Sequence, residues 1–202
     1  MKRIAVLASG NGSNLQALIH ALHTPNSPVQ IALVLANVES AYALTRAKEA
    51  DIPAFFVPGQ ANRQNHEASL LQLLEKYKTD FVCLAGFMRL LSKHFLSAYP
   101  NRVLNVHPSL LPSFPGKHAP QQALLAGVKL TGCTVHLVDE GVDTGPILAQ
   151  AAVPILENDD VSSLTSRIQQ AEHHLYPHVV RLFAEGRFHN KGPHFFLDNP
   201  PA

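Results

Sequence analysis

Cysteine is scarce in this sequence, which contains only two such residues in 202. Cys83 and Cys133 lie far apart in the chain and do not form a Cys-x-x-Cys pair. Each sits within an apolar run typical of a strand, which favours a buried thiol over a disulfide or a zinc ligand. We therefore expect neither a disulfide nor a redox role.

The sequence also lacks a charge excess and a long apolar segment. Its 16 basic and 15 acidic residues give a formal net charge of +1, and the basic residues are scattered. Such a balance argues against a nucleic-acid partner and favours a small ligand. The first apolar stretch, Ile4 to Ala8, is too short for a signal peptide or a membrane span. We expect a cytoplasmic protein with no membrane partner.

The hydrophobic content of 46% in 202 residues is enough for one substantial domain. Along the chain, short apolar runs alternate with segments of helical periodicity, and the last of these helices is interrupted near Pro177. This alternation predicts an α/β fold with an open, mostly parallel twisted sheet, helices on both faces and a Rossmann-like N-terminal half. The predicted strands cover residues 3–8, 29–36, 53–57, 81–85, 133–138 and 147–153, with another ending at 107, and the predicted helices cover 42–50, 64–77, 92–99, 120–126 and 161–184, with another starting near 15.

A glycine loop, Ser-Gly-Asn-Gly-Ser-Asn, separates the first strand from the first helix. Backbone N–H groups and the positive end of a helix dipole favour an anion at such a junction. The third glycine of the dinucleotide fingerprint is absent, because Leu15 occupies its place. The loop thus favours a single phosphate held by Gly12, Ser13 and Asn14. The alternative is that Ser13 or Asn14 only caps the helix.

The segment from Val103 to Pro115 ends an apolar run with Asn105 and His107, two positions apart, so that a strand would direct both side chains to one face. Pro108 follows at once and ends the strand. Ligands of open α/β sheets bind at the carboxyl ends of strands, which makes this pair a catalytic candidate. The alternative is a core pair hydrogen-bonded to turn backbone.

A loop with three carboxylates, Asp139 to Pro146, separates two later strands, and its Asp-Thr-Gly-Pro turn would hold Asp143 rigidly. An amide, an imidazole and a carboxylate can stabilise an oxyanion and move a proton. No Gly-x-Ser-x-Gly nucleophile motif is present, so direct acyl transfer is favoured over a covalent intermediate. The spacings of His107, His118 and His136 do not fit zinc motifs, and we expect no metal.

Four motifs in order resemble the phosphoribosylglycinamide formyltransferase family, the folate-dependent enzymes of purine synthesis. They are the glycine loop, Leu-Ala-Gly-Phe-Met-Arg-Leu-Leu from residue 84, Leu-Asn-Val-His-Pro-Ser-Leu-Leu-Pro from residue 104, and Gly-Val-Asp-Thr-Gly-Pro-Ile from residue 141. The last two are shared with methionyl-tRNA and formyltetrahydrofolate-hydrolysing relatives, whereas the glycine loop is specific to the glycinamide ribonucleotide enzymes. The resemblance covers nearly the whole chain.

The resemblance implies transfer of a formyl group from the cosubstrate 10-formyltetrahydrofolate to the amine of glycinamide ribonucleotide. It implies one formyltransferase domain, residues 1–202, with a nucleotide-phosphate half (1–100), a catalytic and folate half (101–185) and a C-terminal arm (186–202), acting as a monomer or homodimer. A nucleotide-binding module without catalysis is the rival hypothesis. The implied site residues are Asn105, His107 and Asp143 for catalysis; Gly12, Ser13, Asn14 and Glu172 for the ribonucleotide; Arg63, Met88, Arg89, Leu90, Leu91, Asn105, Asp139, Glu140, Gly141, Val142 and Asp143 for folate; and Thr134 and His136 in support.

With Asp143 next to His107, as the resemblance and the rigid turn suggest, the carboxylate would favour the imidazolium. We therefore expect the pKa of His107 to be raised.

Overall fold

The computed structural model describes residues 1–59, 62–192 and 194–198. It has the predicted α/β fold with a mostly parallel main sheet, whose strand pairs include both parallel and antiparallel ones. The chain forms two compact units, Met1–Leu104 and Asn105–Ala202. The predicted division at residues 100 and 185 stays a prediction.

In the first unit, strands and helices alternate along the chain. The elements are β1 (Lys2–Ala8), α1 (Ser13–Leu22), β2 (Val29–Ala36), α2 (Tyr42–Glu49), β3 (Ala54–Phe56), α3 (Arg63–Lys76), β4 (Phe81–Leu84) and α4 (Lys93–Ala98). The strand order is β3-β2-β1-β4, and β1 pairs in parallel with both β2 and β4.

Strands β1 and β2 form the centre of the first unit because both are nearly continuous apolar runs. Residues 4–8 and 31–36 are buried, as expected for parallel strands covered on both faces. The predicted bounds of β2 are confirmed to the residue. Helix α1 packs Leu15, Leu18 and Leu22 inward at helical spacing. The glycine loop is therefore held between two well-packed elements.

The boundary between the units falls within β5 (Val103–His107). The elements that follow it are α5 (Ala119–Ala126), β6 (Leu130–Leu137), β7 (Ile147–Pro154), α6 (Val161–Ala184), β8 (Phe188–Lys191) and β9 (His194–Leu197). Strand β6 is the sheet neighbour of β5 and pairs antiparallel with β7, and α6 packs on both β6 and β7.

One prediction for the second unit needs correction. Helix α6 is not interrupted near Pro177 but runs through it to Ala184; a proline removes one N–H donor, and a helix that packs on two strands keeps its course despite that loss. The expected terminal arm contains a hairpin, in which β8 pairs antiparallel with β9. Residues 199–202 of that arm lie outside the described residues.

Both cysteines are free and buried, as predicted. Within the described residues, none of the helices is both long and apolar enough to cross a membrane.

Candidate active site

Four polar side chains of the second unit converge where β5 and β6 end. Asn105 and His107 belong to β5, His136 to β6, and Asp143 to the loop that follows β6. His107 and His136 are 4% and 2% exposed, so the cluster is largely shielded from water. The structure thus brings together the three predicted catalytic residues and one of the two predicted supporting residues.

Each ring nitrogen of His107 lies close to an oxygen that can accept a hydrogen bond. Its Nε2 lies 2.9 Å from the carbonyl oxygen of Phe114, and its Nδ1 lies 3.2 Å from Oδ2 of Asp143. Because a carbonyl oxygen only accepts, Nε2 carries a hydrogen in every protonation state. The proton that His107 can gain or lose is therefore the one at Nδ1, facing Asp143.

The pKa of His107 is lowered from its ordinary value of 6.5, contrary to our expectation. Burial is the largest cause, since it disfavours the charged ring; the Phe114 carbonyl and Asp143 raise the pKa, and the nearby His136 lowers it. The predicted influence of Asp143 has the correct sign, but desolvation outweighs it. Folding thus leaves His107 mainly neutral at neutral pH.

Asp143 is fixed by its backbone and by three neighbours. Its φ of 55° lies in the left-handed region, and its Oδ2 accepts a 2.8 Å hydrogen bond from the backbone N–H of Gly116. Burial raises the pKa of this carboxyl, but hydrogen bonds from His136 and Gly116 and the charges of the two histidines bring the net pKa below its ordinary value. Asp143 is therefore an anion beside the Nδ1 atom of His107.

One ring nitrogen of His136 lies close to both the amide of Asn105 and the carboxylate of Asp143. Nε2 of His136 lies 3.2 Å from Nδ2 of Asn105 and 3.6 Å from Oδ1 of Asp143, while its Nδ1 lies 2.9 Å from the Leu137 carbonyl. With its hydrogen on Nδ1 alone, His136 accepts the Asn105 amide at Nε2; with a hydrogen on Nε2, it donates to Asp143 instead. Because Asn105 has two amide hydrogens, its second one remains for a ligand.

The loop that carries Phe114 is anchored by a buried hydroxyl. Thr134 Oγ1 donates to the Ser109 carbonyl at 2.7 Å and accepts from the Leu111 N–H at 3.0 Å and from Gln150 Nε2 at 2.9 Å. The predicted supporting position of Thr134 thus has a physical basis. Gln150 was not predicted, and no sequence signal marked it, since its partners lie 16 and 39 residues away.

The glycine loop of the first unit has the geometry of an open helix N-terminus. Gly12 is the N-cap of α1 with φ of 75° and no side-chain cap, so Ser13 and Asn14 are the first helical residues and neither is the cap. A Cβ atom at Gly12 would lie 2.8 Å from the Cβ of Ala43. The position therefore requires glycine for both conformation and space.

Arg46 of α2 supports this loop and was missed by the sequence analysis. Its Nε and Nη2 each donate a 2.9 Å hydrogen bond to Asn11, to the carbonyl and to Oδ1 respectively. Its Nη1 donates to Gln16 at 3.0 Å. Since the three bonds span 30 to 35 positions, no local motif indicates them.

The predicted folate residues occur in two places. In the first unit, Met88 and Leu90 are 67% and 63% exposed, whereas Leu91 is buried. Arg63 forms an ion pair with Glu67 at 3.1 Å. Arg89 lies close to Gly59, where an added Cβ atom would come within 2.8 Å of its Nη1.

In the second unit, the predicted folate residues 139–143 form a turn. Asp139 Oδ1 accepts from the Gly141 N–H at 3.1 Å and from Thr144 Oγ1 at 2.8 Å. Glu140 and Val142 are exposed. The turn therefore presents side chains to solvent while its backbone is fixed.

Glu172, predicted to contact the ribonucleotide, is buried on α6 and 5% exposed. Burial and the Glu172 carboxylate raise the pKa of the Cys133 thiol to about 12. Strand alternation places Cys133 on the face of β6 opposite Thr134 and His136. The predicted contact of Glu172 with a ligand stays a prediction.

Histidine, cysteine and carboxylate side chains of the described chain form no group of three or more that could hold a metal ion.

The shielded amide, imidazole and carboxylate, held on an α/β fold, are groups suited to proton movement and oxyanion stabilisation in group transfer. The chain belongs to the formyl transferase family, whose pattern matches residues 2–180.

Similar proteins and a similar crystal structure support this assignment. The chain is 48% identical to the trifunctional purine biosynthetic protein adenosine-3 of Drosophila melanogaster over 92% of its own length but only 14% of that protein. It is 43% identical to the phosphoribosylglycinamide formyltransferase of Bacillus subtilis, over 90% of this chain and 94% of the relative. Glycinamide ribonucleotide transformylase 1 from Symbiobacterium toebii superposes with a TM-score of 0.95 at 47% identity, covering 98% of this chain and 95% of that one.

Proposed function

We propose that this protein transfers the formyl group of 10-formyltetrahydrofolate to the amine of N1-(5-phospho-D-ribosyl)glycinamide, which gives the N2-formyl product and tetrahydrofolate in purine synthesis. The observation that carries the proposal is the buried His107 whose Nδ1 lies 3.2 Å from Asp143, with the amide of Asn105 in the same cluster. Similarity to the Bacillus subtilis enzyme, over 94% of its length, supports the choice of substrates.

In the proposed reaction, the substrate amine attacks the formyl carbon of the folate and forms a tetrahedral intermediate. The carbonyl oxygen becomes an oxyanion, and the free amide hydrogen of Asn105 stabilises the developing charge. The C–N bond to N10 of the folate then breaks, N10 takes up a proton, and the nitrogen that attacked loses one. The net result is an amide on the acceptor and an N–H on the folate.

His107 is the proposed proton carrier of this sequence. Its Nε2 hydrogen is held by the Phe114 carbonyl, so Nδ1 is the atom that exchanges a proton. The neutral ring, favoured by burial, can accept a proton, and the resulting imidazolium is stabilised by the Asp143 carboxylate. In the charged form His107 can also donate to the oxyanion or to the leaving nitrogen.

The remaining site residues have proposed binding roles. The backbone N–H groups of Gly12, Ser13 and Asn14, at the uncapped start of α1, would hold the ribonucleotide phosphate, because a helix N-terminus attracts anions. Glu172 would contact the same substrate. For the folate, the proposed contacts are Arg63, the segment 88–91 and the loop 139–143, with Asn105.

An assay for the formylated product tests the proposal directly. The purified protein is incubated with both substrates, with each alone, and with 10-formyltetrahydrofolate in water without the ribonucleotide. We expect formylated ribonucleotide only when both substrates are present. Release of formate without the ribonucleotide would instead indicate hydrolysis, and binding of the ribonucleotide without any product would indicate a nucleotide-binding module.

The small-molecule partners are part of the same proposal. A monomer or homodimer in the cytoplasm stays our prediction, and light scattering of the purified protein would determine its oligomeric state.

A further inference from the structure

Glu67 is a buried carboxylate that the proposed chemistry does not use. It lies on α3 and is 2% exposed, although a carboxylate of this kind is rarely buried unless it is paired. Such a residue has a cost in desolvation that specific partners must offset. Its partners therefore indicate what it does.

Three groups donate to Glu67. The backbone N–H of Ser92 donates to Oε1 at 2.8 Å, the hydroxyl of Ser92 donates to Oε2, and Nε of Arg63 lies 3.1 Å from Oε1. Ser92 also begins α4, since its hydroxyl accepts the N–H of Phe95. The carboxylate therefore fixes the chain at the point where the segment 88–91 ends.

A second polar side chain fixes the other end of this segment. The N–H of Met88 donates to Ser9 Oγ at 2.8 Å, and the Ser9 hydroxyl donates to Oδ1 of Asn37 at 2.6 Å. Between the two anchors the chain is neither helix nor strand, and Met88 and Leu90 are 67% and 63% exposed. Such exposed apolar side chains on a backbone tied at both ends form a preorganised binding surface.

We propose that Glu67 is a positioning residue for the folate cosubstrate, and that it acts by holding both Arg63 and the segment 88–91 in place. This inference rests on the proposed function, because the same segment and Arg63 are its proposed folate contacts. In this role Glu67 does not touch the substrate; it joins Arg63, one helical turn away, to Ser92, which lies 25 residues further along the chain than Glu67. Loss of the carboxylate should free the Ser92 end of the segment while leaving the glycine loop unchanged.

The kinetic test compares Glu67→Ala with Glu67→Gln, which keeps the shape and one acceptor oxygen. For Glu67→Ala we expect KM for 10-formyltetrahydrofolate to rise about tenfold or more. We expect kcat and KM for the ribonucleotide to stay within about twofold of their values in the unmodified protein, a change smaller than the loss of one hydrogen bond would cause. Glu67→Gln should restore most of the folate affinity. Equal increases in both KM values, or no increase in either, would overturn the proposal.

Two controls separate positioning from general destabilisation. Glu75→Ala removes an exposed carboxylate from the same helix and should change neither KM. Leu74→Ala truncates a fully buried residue of α3 and should lower the melting temperature without a selective loss of folate affinity. A folate-selective effect in Leu74→Ala would show that loss of stability alone explains the result.

Hydrogen exchange tests the physical claim apart from the reaction. In Glu67→Ala the amide of Ser92 should exchange faster than in the unmodified protein, while that of Gln16, which donates to Gly12 at 2.9 Å, should keep its rate. An unchanged Ser92 amide would overturn the proposal. If the unmodified protein makes no formylated product but the Ser92 amide responds, the proposed function fails while the anchoring role stands.

Discussion

The glycine loop and the Asn105 cluster differ in what they are made of. The loop presents backbone N–H groups at the start of α1, and its side chains matter mainly by their size, as at Gly12. The cluster presents side-chain nitrogens and oxygens whose protonation depends on burial. A site made of backbone can be weakened by adding one carbon atom, whereas a site made of side chains is altered by removing a proton or an amide.

The largest effect is expected in the cluster, from Asn105→Ala. Loss of one oxyanion donor typically lowers kcat by about 10² to 10³. The same change leaves His136 Nε2 without its 3.2 Å partner, so the melting temperature is measured as a control. Steady-state kinetics of a folded variant with near-normal kcat would contradict the proposed role of Asn105.

A second test in the cluster is Asp143→Asn, which removes the charge while nearly preserving shape. Asp143 raises the pKa of His107, although burial keeps the net pKa below 6.5. The variant should therefore lower the His107 pKa further and reduce turnover at neutral pH by about 10², within the range of general acid–base catalysis.

The pH dependence distinguishes a proton-related role of Asp143 from a structural one. If turnover requires the protonated ring, which donates to the oxyanion or to the leaving nitrogen, a lower pKa leaves fewer rings in that form. The deficit should then be greatest at neutral and alkaline pH and shrink as pH falls toward the lowered pKa. NMR titration of the His107 ring in both proteins measures the cause directly. A loss of turnover that is the same at every pH would leave Asp143 only a structural role.

For the loop, Gly12→Ala should weaken binding of the ribonucleotide about tenfold, a difference of about 1.4 kcal/mol, and leave folate binding unchanged. A Cβ there meets Ala43 at 2.8 Å in a left-handed conformation. Gly127→Ala is the matched control, because Gly127 has a φ of 69° but open space around it. Calorimetry with each ligand tests this, and equal losses for both ligands would place the phosphate elsewhere.

The smallest effect is expected from Arg46→Lys. A lysine cannot reproduce the three directed bonds of the guanidinium, so Asn11 becomes less restrained. We expect ribonucleotide KM to rise by a few-fold, consistent with loss of exposed hydrogen bonds worth about 1 kcal/mol. Unchanged KM values would show that Gly12 and its packing suffice to hold the loop.

Much of the fold was predictable because its signals are local. The apolar run of β2 and the periodicity of α6 predicted the bounds of both elements correctly. The interruption of α6 that we predicted near Pro177 is absent. The hairpin of β8 and β9 was missed because each strand has only four residues, too few to show a clear alternation. The bounds of β3 and β6 differ from the prediction by one to three residues, because strand ends depend on pairing with other strands.

The site was predictable in its residue types but not in its energetics. Asn105, His107 and Asp143 were found from motif and turn chemistry, and the structure brings their side chains together. We predicted the wrong direction for the shift in the pKa of His107, because the burial of its ring depends on residues distant in sequence. Arg46, Glu67 and Gln150 were missed for that reason too, since their partners lie many positions away.

The two buried cysteines have a practical consequence. Cys83 lies in β4 of the first unit and Cys133 in β6 of the second, and both are inaccessible in the folded chain. The Cys133 thiol, with a pKa of about 12, is almost never a thiolate, which is the form that alkylating reagents attack. Alkylation therefore requires local opening, so the labelling rate of each cysteine, resolved by peptide mass spectrometry, reports separately how often each half of the chain opens.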